Sequence, residues 1–221
     1  MNNNESQNGR QKYYSRKYLH AHRWNTYSKL ISCVLEINPL RILEVGFGNR
    51  LVSDILEKMG FFVKVLDNDK SLNPDYCMDI RDKAILKLKR EFDLIIASQV
   101  LEHIKYSEFL EVIRHFSCIT KDLIITLPYT NSNSYFFSFN LDFLLAKRFR
   151  LKLKSAFKVF LKKTSEIPNK FHLWEIGIKN YSLRKITQDI KNNGWIIKKR
   201  FLNENNPYHY FFVLASKNHL K

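Results

Sequence analysis

RILEVGFGNRLVSDIL, residues Arg41 to Leu56, carries three elements in one short stretch. Ile42-Leu43-Glu44-Val45 is too short an apolar run for a helix, and Gly46 closes it, so it reads as a buried strand. Gly46 and Gly48 make a tight turn, after which Leu51, Val52, Ile55 and Leu56 recur at helical spacing. Strand, glycine-rich turn and helix in this order form the nucleotide-binding start of an open α/β sheet. Glycine suits the turn because the backbone must bend sharply and approach a ligand where a Cβ would intrude. The N–H groups of the first helical turn then face that ligand.

The dinucleotide fingerprint would place a third glycine where this chain has Leu51, which argues against pyrophosphate binding. The stretch instead resembles motif I of class I S-adenosylmethionine-dependent methyltransferases, E-x-G-x-G-x-G, through Glu44, Gly46 and Gly48. Arg50 replaces the last glycine and brings a Cβ and a positive charge toward a site that the resemblance assigns to a sulfonium. Two placements are open for it: outward, or paired with Glu44 or with the cofactor's carboxylate.

A second specific stretch is FDLIIASQVLEHI, Phe92 to Ile104, which looks like motif IV of the same family. Its first half is the continuous apolar run of a buried parallel strand. By resemblance, Ser98 at the strand's end faces the methionine part of the cofactor. His103 is a candidate general base, since an imidazole titrates near neutral pH; the alternative is that Glu102 and His103 hold the loop against a helix. Phe61 to Asp67 reads as a strand ending in an acidic residue placed to accept from both ribose hydroxyls, with Asp69 as competitor and a simple turn as the other reading. Asp79 and Ile80, after a short third strand, occupy the positions that the resemblance assigns to the adenine amine and ring.

The chain has 221 residues and a net charge of +16, which suits one α/β domain with either a polyanionic partner or a plainly lysine-rich surface. Cys33, Cys77 and Cys118 are scattered, with no C-x-x-C pair and no Cys/His spacing, so no metal set is expected. Residues 1–11 are polar and read as a disordered tail rather than a signal peptide, and the expected location is cytoplasmic. Residues 12–221 read as a single domain.

Tyr13 to Ile37 has helical periodicity, with Tyr13, Tyr14, Arg16 and Arg23 within reach of the site. Asp82 to Arg90 reads as a lysine-rich surface helix, and a further helix from Ser107 to Phe116 leads to the fifth strand. Asp122 to Leu127 is the fifth strand, and Tyr129, Thr130 and Asn131 fall on the ligand side. Residues 131–180 form an inserted cap. Within it Phe149, Leu153, Phe157, Phe160 and Leu161 fit one helical face, and residues 147–163 supply Lys and Arg without an acidic residue. A basic amphipathic helix fits a lid over an anionic substrate or peripheral contact with an anionic membrane. The cap ends in Lys170-Phe171-His172-Leu173-Trp174-Glu175, which resembles an H-x-W-E segment of some small methyltransferases. His172 and Glu175 either face the acceptor or tie cap to core.

Trp195 to Phe201 and Tyr208 to Ala215 are strands joined by a short link, so they must be antiparallel. One reversed strand in a parallel sheet separates the methyltransferase fold from dinucleotide-binding sheets. It also sets Asn206, Tyr208 and His209 on the ligand side. The expected fold is therefore a seven-stranded Rossmann-like methyltransferase sheet, α/β, with flanking helices and a helical cap after strand five. The resemblance implies S-adenosyl-L-methionine as cofactor, bound by Glu44, Gly46, Gly48, Asp67, Asp79, Ile80 and Ser98. His103, His172 and His209 are the base candidates. The basic cap suggests a small or carrier-linked acceptor such as a glycan or lipid-linked intermediate. A non-catalytic module binding RNA, membrane or a partner protein is the alternative. Methylation of nucleic-acid bases is disfavoured, because Ser98-Gln99-Val100-Leu101 stands where N-P-P-Y or D-P-P-Y would be needed.

Overall fold

Each short apolar run of the sequence is a strand of one sheet in the computed structural model. It describes residues 13–130, 167 and 169–219 in full and residues 134–145 and 149–160 as backbone. The tail expected over residues 1–11 lies outside the described residues. In chain order the elements are α1 (Ala21–Ile37), β1 (Arg41–Val45), α2 (Leu51–Lys58), β2 (Phe62–Asp67), β3 (Tyr76–Cys77), β4 (Leu94–Ser98), α3 (Tyr106–Ile119), β5 (Asp122–Pro128), β6 (Ser134–Leu145), β7 (Phe149–Phe160), α4 (Leu183–Asn192), β8 (Trp195–Leu202) and β9 (His209–Ser216).

The main sheet has the order β3-β2-β1-β4-β5-β9-β8. The pairs β2–β3, β1–β2, β1–β4 and β4–β5 are parallel, and β9 runs antiparallel to both β5 and β8. Strand β9 is thus the single reversed strand. The link of residues 203–208 is too short for a crossover, which forces the reversal.

Strand β1 is buried without alternation from Ile42 to Val45 because both faces are covered. Leu43 joins Ile95, Phe109, Phe116, Trp174 and Trp195 on one side. Ile42 joins Leu30, Val34, Val52, Leu56 and Phe211 on the other. All of β9 is buried, as a strand flanked on both edges should be. Among the described residues no helix is long and apolar enough to cross a membrane.

Two expected helices are corrected. Lys83–Leu88 is a 3₁₀ segment capped by Asp82, whose side chain accepts from the Ala84 N–H. Its buried residues, Ile85 and Leu88, are three apart, which is the 3₁₀ repeat. The cap is not helical where it is described: β6 and β7 pair antiparallel from Ser134↔Phe160 to Leu145↔Phe149. The physical reason is a two-residue period. Phe149, Leu151, Leu153, Phe157 and Val159 alternate with Arg150, Lys152, Lys154 and Lys158. The register pairs that series with Leu145, Phe143, Leu141, Phe137 and Tyr135, with Ser155 opposite Phe139 between them.

Candidate active site

The sheet's strand order reverses between β1 and β4, and ligands of such sheets bind outside the carboxyl ends there. Gly46 and Gly48 turn the chain at the end of β1 with φ of +66° and +59°. A Cβ on Gly46 would stand 2.3 Å from Val100 Cγ2, and one on Gly48 would meet the Tyr13 ring at 3.3 Å. Asn49, 2% exposed, holds the turn. Its Oδ1 accepts from the Leu51 N–H at 3.3 Å and from the Tyr27 hydroxyl at 3.3 Å.

Tyr13 and Tyr14 close over this turn. Asn49 Nδ2 donates to the Tyr13 carbonyl at 3.3 Å, and the Tyr14 hydroxyl donates to the Asn49 carbonyl at 2.7 Å. Tyr18 packs edge-on against Tyr13, and Arg23 lies 3.9 Å from the Tyr18 ring centre. Burial pushes the Tyr18 hydroxyl up to about 12.

Glu44 lies beneath the turn, buried, and accepts from the Ser53 hydroxyl. Burial lifts its carboxyl to about 7, against the opposing pull of Ser53 and the Arg50 charge. Arg50 itself turns outward, donating to Asp54 at 3.1 Å and Glu57 at 2.8 Å, with Asp75 at 3.8 Å. It takes the left-handed conformation, φ +60°, that a glycine would adopt there more easily.

Asp67 ends β2, and burial raises its carboxyl. Its Oδ1 accepts the Asp69 N–H at 2.9 Å. Asp79 is gripped by Arg81, with Nη2–Oδ2 at 2.6 Å and Nε–Oδ1 at 2.9 Å, and this pair holds its carboxyl low. Ile80 is buried in the core beside it. Ser98 ends β4, its hydroxyl 2.8 Å from that of Thr126. The structure thus gathers Glu44, Gly46, Gly48, Asp67, Asp79, Ile80 and Ser98 along the carboxyl edge of β1, β2, β3 and β4.

Across the crevice lies a second polar group. Residues 174–177 dock along the end of β5, with Ile176 N–H donating to the Pro128 carbonyl at 2.9 Å and Thr130 N–H to the Ile176 carbonyl at 2.9 Å. That docking sets His172 Nδ1 2.7 Å from Glu175 Oε1, and the Tyr208 hydroxyl donates to the same oxygen at 2.8 Å. Glu175 and Glu102 are both fully buried. Burial, aided by Glu175, pushes the Glu102 carboxyl up to about 8. His103 is exposed, its Nδ1 3.0 Å from the Phe171 carbonyl and its ring 4.9 Å from that of His172. His209 stands apart, buried, with Nδ1 3.0 Å from the Thr26 hydroxyl. Burial pushes its imidazole down to about 3, so it is a weak base.

The residues at the β1–β3 end suit an adenosyl ligand. The glycines give the turn its left-handed backbone and let Val100 and Tyr13 pack close against it, and Asp67 and Asp79 offer acceptors along the edge.

No protein-family model and no curated protein matches this sequence. Solved structures do match in shape. Magnesium protoporphyrin IX methyltransferase from Synechocystis PCC 6803, with bound S-adenosylhomocysteine, superposes with a TM-score of 0.59 at 11% identity, covering 97% of this chain and 95% of that one. The glycopeptide N-methyltransferase MtfA, complexed with S-adenosylhomocysteine, gives 0.56 at 12% identity over 87% of this chain and 89% of the other. The Burkholderia thailandensis 1,6-didemethyltoxoflavin-N1-methyltransferase gives 0.55 at 10% identity over 97% and 86%. This is the class I methyltransferase fold. At such identities the methyltransferase likeness is one of architecture.

Proposed function

We propose that the chain is an S-adenosylmethionine-dependent methyltransferase acting on a small or carrier-linked acceptor. One observation carries this reading: on a methyltransferase fold, the left-handed glycine turn and the carboxylates of Asp67 and Asp79 lie along a single carboxyl edge. When bound, the cofactor supplies an electrophilic methyl group on a sulfonium. The residues of the chain bind and orient it. Gly46 and Gly48 let the backbone approach, Asp67 accepts from the ribose, Asp79 with Ile80 receives the adenine, and Ser98 borders the methionine end. Alignment of nucleophile with methyl carbon and sulfur supplies most of the rate. Glu44 acts from beneath as a positioning residue for the turn through Ser53. Among the histidines, His172 has its ring orientation and tautomer fixed by Glu175. The hairpin β6–β7 leaves the sheet just after β5, on the acceptor side. Its alternation of basic and apolar residues supports an anionic or lipid-linked acceptor.

Calorimetric titration with S-adenosylmethionine and S-adenosylhomocysteine tests the proposal. Micromolar binding of either is the expected result. Absence of binding to both would overturn it and favour a non-catalytic module working through its basic surface.

A further inference from the structure

Glu102 has no partner that explains its burial. It is 0% exposed, and neither carboxylate oxygen receives a hydrogen bond. Taking a carboxyl group out of water without a partner is unfavourable even when it is neutral. Its nearest cationic candidate is His172 Nε2, 3.9 Å from Oε1.

The tautomers of the two neighbouring histidines add to this. Glu175 Oε1 and the Phe171 carbonyl can only accept. His172 Nδ1 and His103 Nδ1, at 2.7 and 3.0 Å from them, therefore carry the protons. In both neutral rings the lone pair is then on Nε2. An imidazole whose far nitrogen donates to a carboxylate or a carbonyl is the arrangement found around metal-ligating histidines. One ligand atom from each of Glu102, His103 and His172 lies within 4.8 Å of the others.

We propose that Glu102, His103 and His172 bind a divalent transition-metal cation, with Glu175 and the Phe171 carbonyl as outer partners that fix the two rings. One carboxylate with two imidazoles suits cations of the zinc and manganese class better than calcium or magnesium. Three protein ligands leave a coordination position open, as at catalytic sites. Ligand atoms about 2.1 Å from a tetrahedral ion stand about 3.4 Å apart, so binding draws the group together by about an ångström. Asn169 Nδ2 is 2.8 Å from His172 Nε2, and the cation displaces this amide.

The site lies just past the end of β4, beyond Ser98. There a cation would hold an acceptor oxygen and lower its pKa before methyl transfer. This use rests on the methyltransferase reading; cation binding does not.

The test uses the full chain stripped with chelator, titrated with Zn2+ by calorimetry and with Co2+ by its visible absorption. One cation per chain is expected, with the Co2+ bands of a nitrogen- and oxygen-ligated ion. Glu102→Gln and His172→Ala should abolish binding, and Glu175→Gln should weaken it about 10- to 100-fold. Asp67→Ala should bind the cation like the wild type. Zn2+ should raise the melting temperature of the wild type but not of Glu102→Gln, which is isosteric and retains the fold. Absence of stoichiometric binding would overturn the proposal. So would binding that survives both ligand substitutions, since it would then belong to other histidines. Cation failure with cofactor binding intact sinks the metal site alone, and the converse sinks the methyltransferase reading alone.

Discussion

Asp79 and Glu102 are carboxylates at the same edge of the same sheet, and their surroundings drive them apart. Asp79 is partly exposed, clasped by Arg81 at 2.6 and 2.9 Å, and held ionised. Glu102 is sealed, without a hydrogen bond, and pushed up to about 8 by burial. The same contrast separates the two halves of the crevice. The β1–β3 half is a turn with acceptors along its rim. The β4–β5–β9 half is a network of buried Glu102, His172 and Glu175 with half-buried Tyr208, stitched by backbone bonds from residues 169–177. Residue types of one chemistry thus do different work according to how far water reaches them. An open rim suits a polar cofactor that arrives and leaves, whereas a sealed network suits a fixed geometry.

Substitutions in each half test this division. The largest effect is expected in the sealed half. Trp174 is fully buried, and its Nε1 donates to the Ile104 carbonyl at 3.0 Å. Trp174→Ala should cost about 3–5 kcal/mol in chemical denaturation, from lost packing and a stranded carbonyl. A loss below about 1 kcal/mol would mean that segment 169–177 is not part of the core.

Next comes Glu44. Its folded carboxyl titrates at about 7 against 4.5 in an unfolded chain, so the native state holds its proton more tightly. The stabilisation is full below pH 4.5 and is lost as pH rises through 7. Over that window the wild type should lose about 3 kcal/mol relative to Glu44→Gln, which does not titrate. Parallel stability curves for the two proteins would contradict this.

Gly46→Ala combines a positive φ with a Cβ 2.3 Å from Val100 Cγ2. The strain term should be about 1–2 kcal/mol, with the clash adding to it. The double variant Gly46→Ala/Val100→Ala should recover the clash and leave the strain, a coupling that denaturation of the cycle would measure. Strict additivity would show that the close approach is not felt.

The smallest effect belongs to Arg50→Gly. Relief of a left-handed residue, about 1 kcal/mol, offsets three partly exposed ion pairs of about 0.2–1 kcal/mol each. Stability should move by less than about 1 kcal/mol, and cofactor affinity should change little because the guanidinium is engaged by Asp54, Glu57 and Asp75. A large gain in affinity would mark Arg50 as a defect of motif I.

The same contrast governs what the sequence reveals. The glycine turn is legible because strand, turn and helix are contiguous between Arg41 and Leu56. The reversed strand is legible because residues 203–208 cannot span a crossover. The second network is not, because Glu102 and Tyr208 meet His172 across 70 and 36 residues, and only the fold brings them together. Glu175 and His172 could be paired from their spacing, but no local pattern says that Glu102 is sealed beneath them. The hairpin misled for a different reason. Phe149, Leu153 and Phe157 satisfy a four-residue step as well as a two-residue one. The deciding residues are Leu151 and Val159, which fit only the alternation.

The most direct test of the division is one pair of titrations with S-adenosylhomocysteine, on Asp67→Ala and on His172→Ala. The account predicts that Asp67→Ala loses binding and that His172→Ala retains it within a few-fold. Full binding by Asp67→Ala with loss in His172→Ala would contradict it, by placing the cofactor in the half assigned to the acceptor.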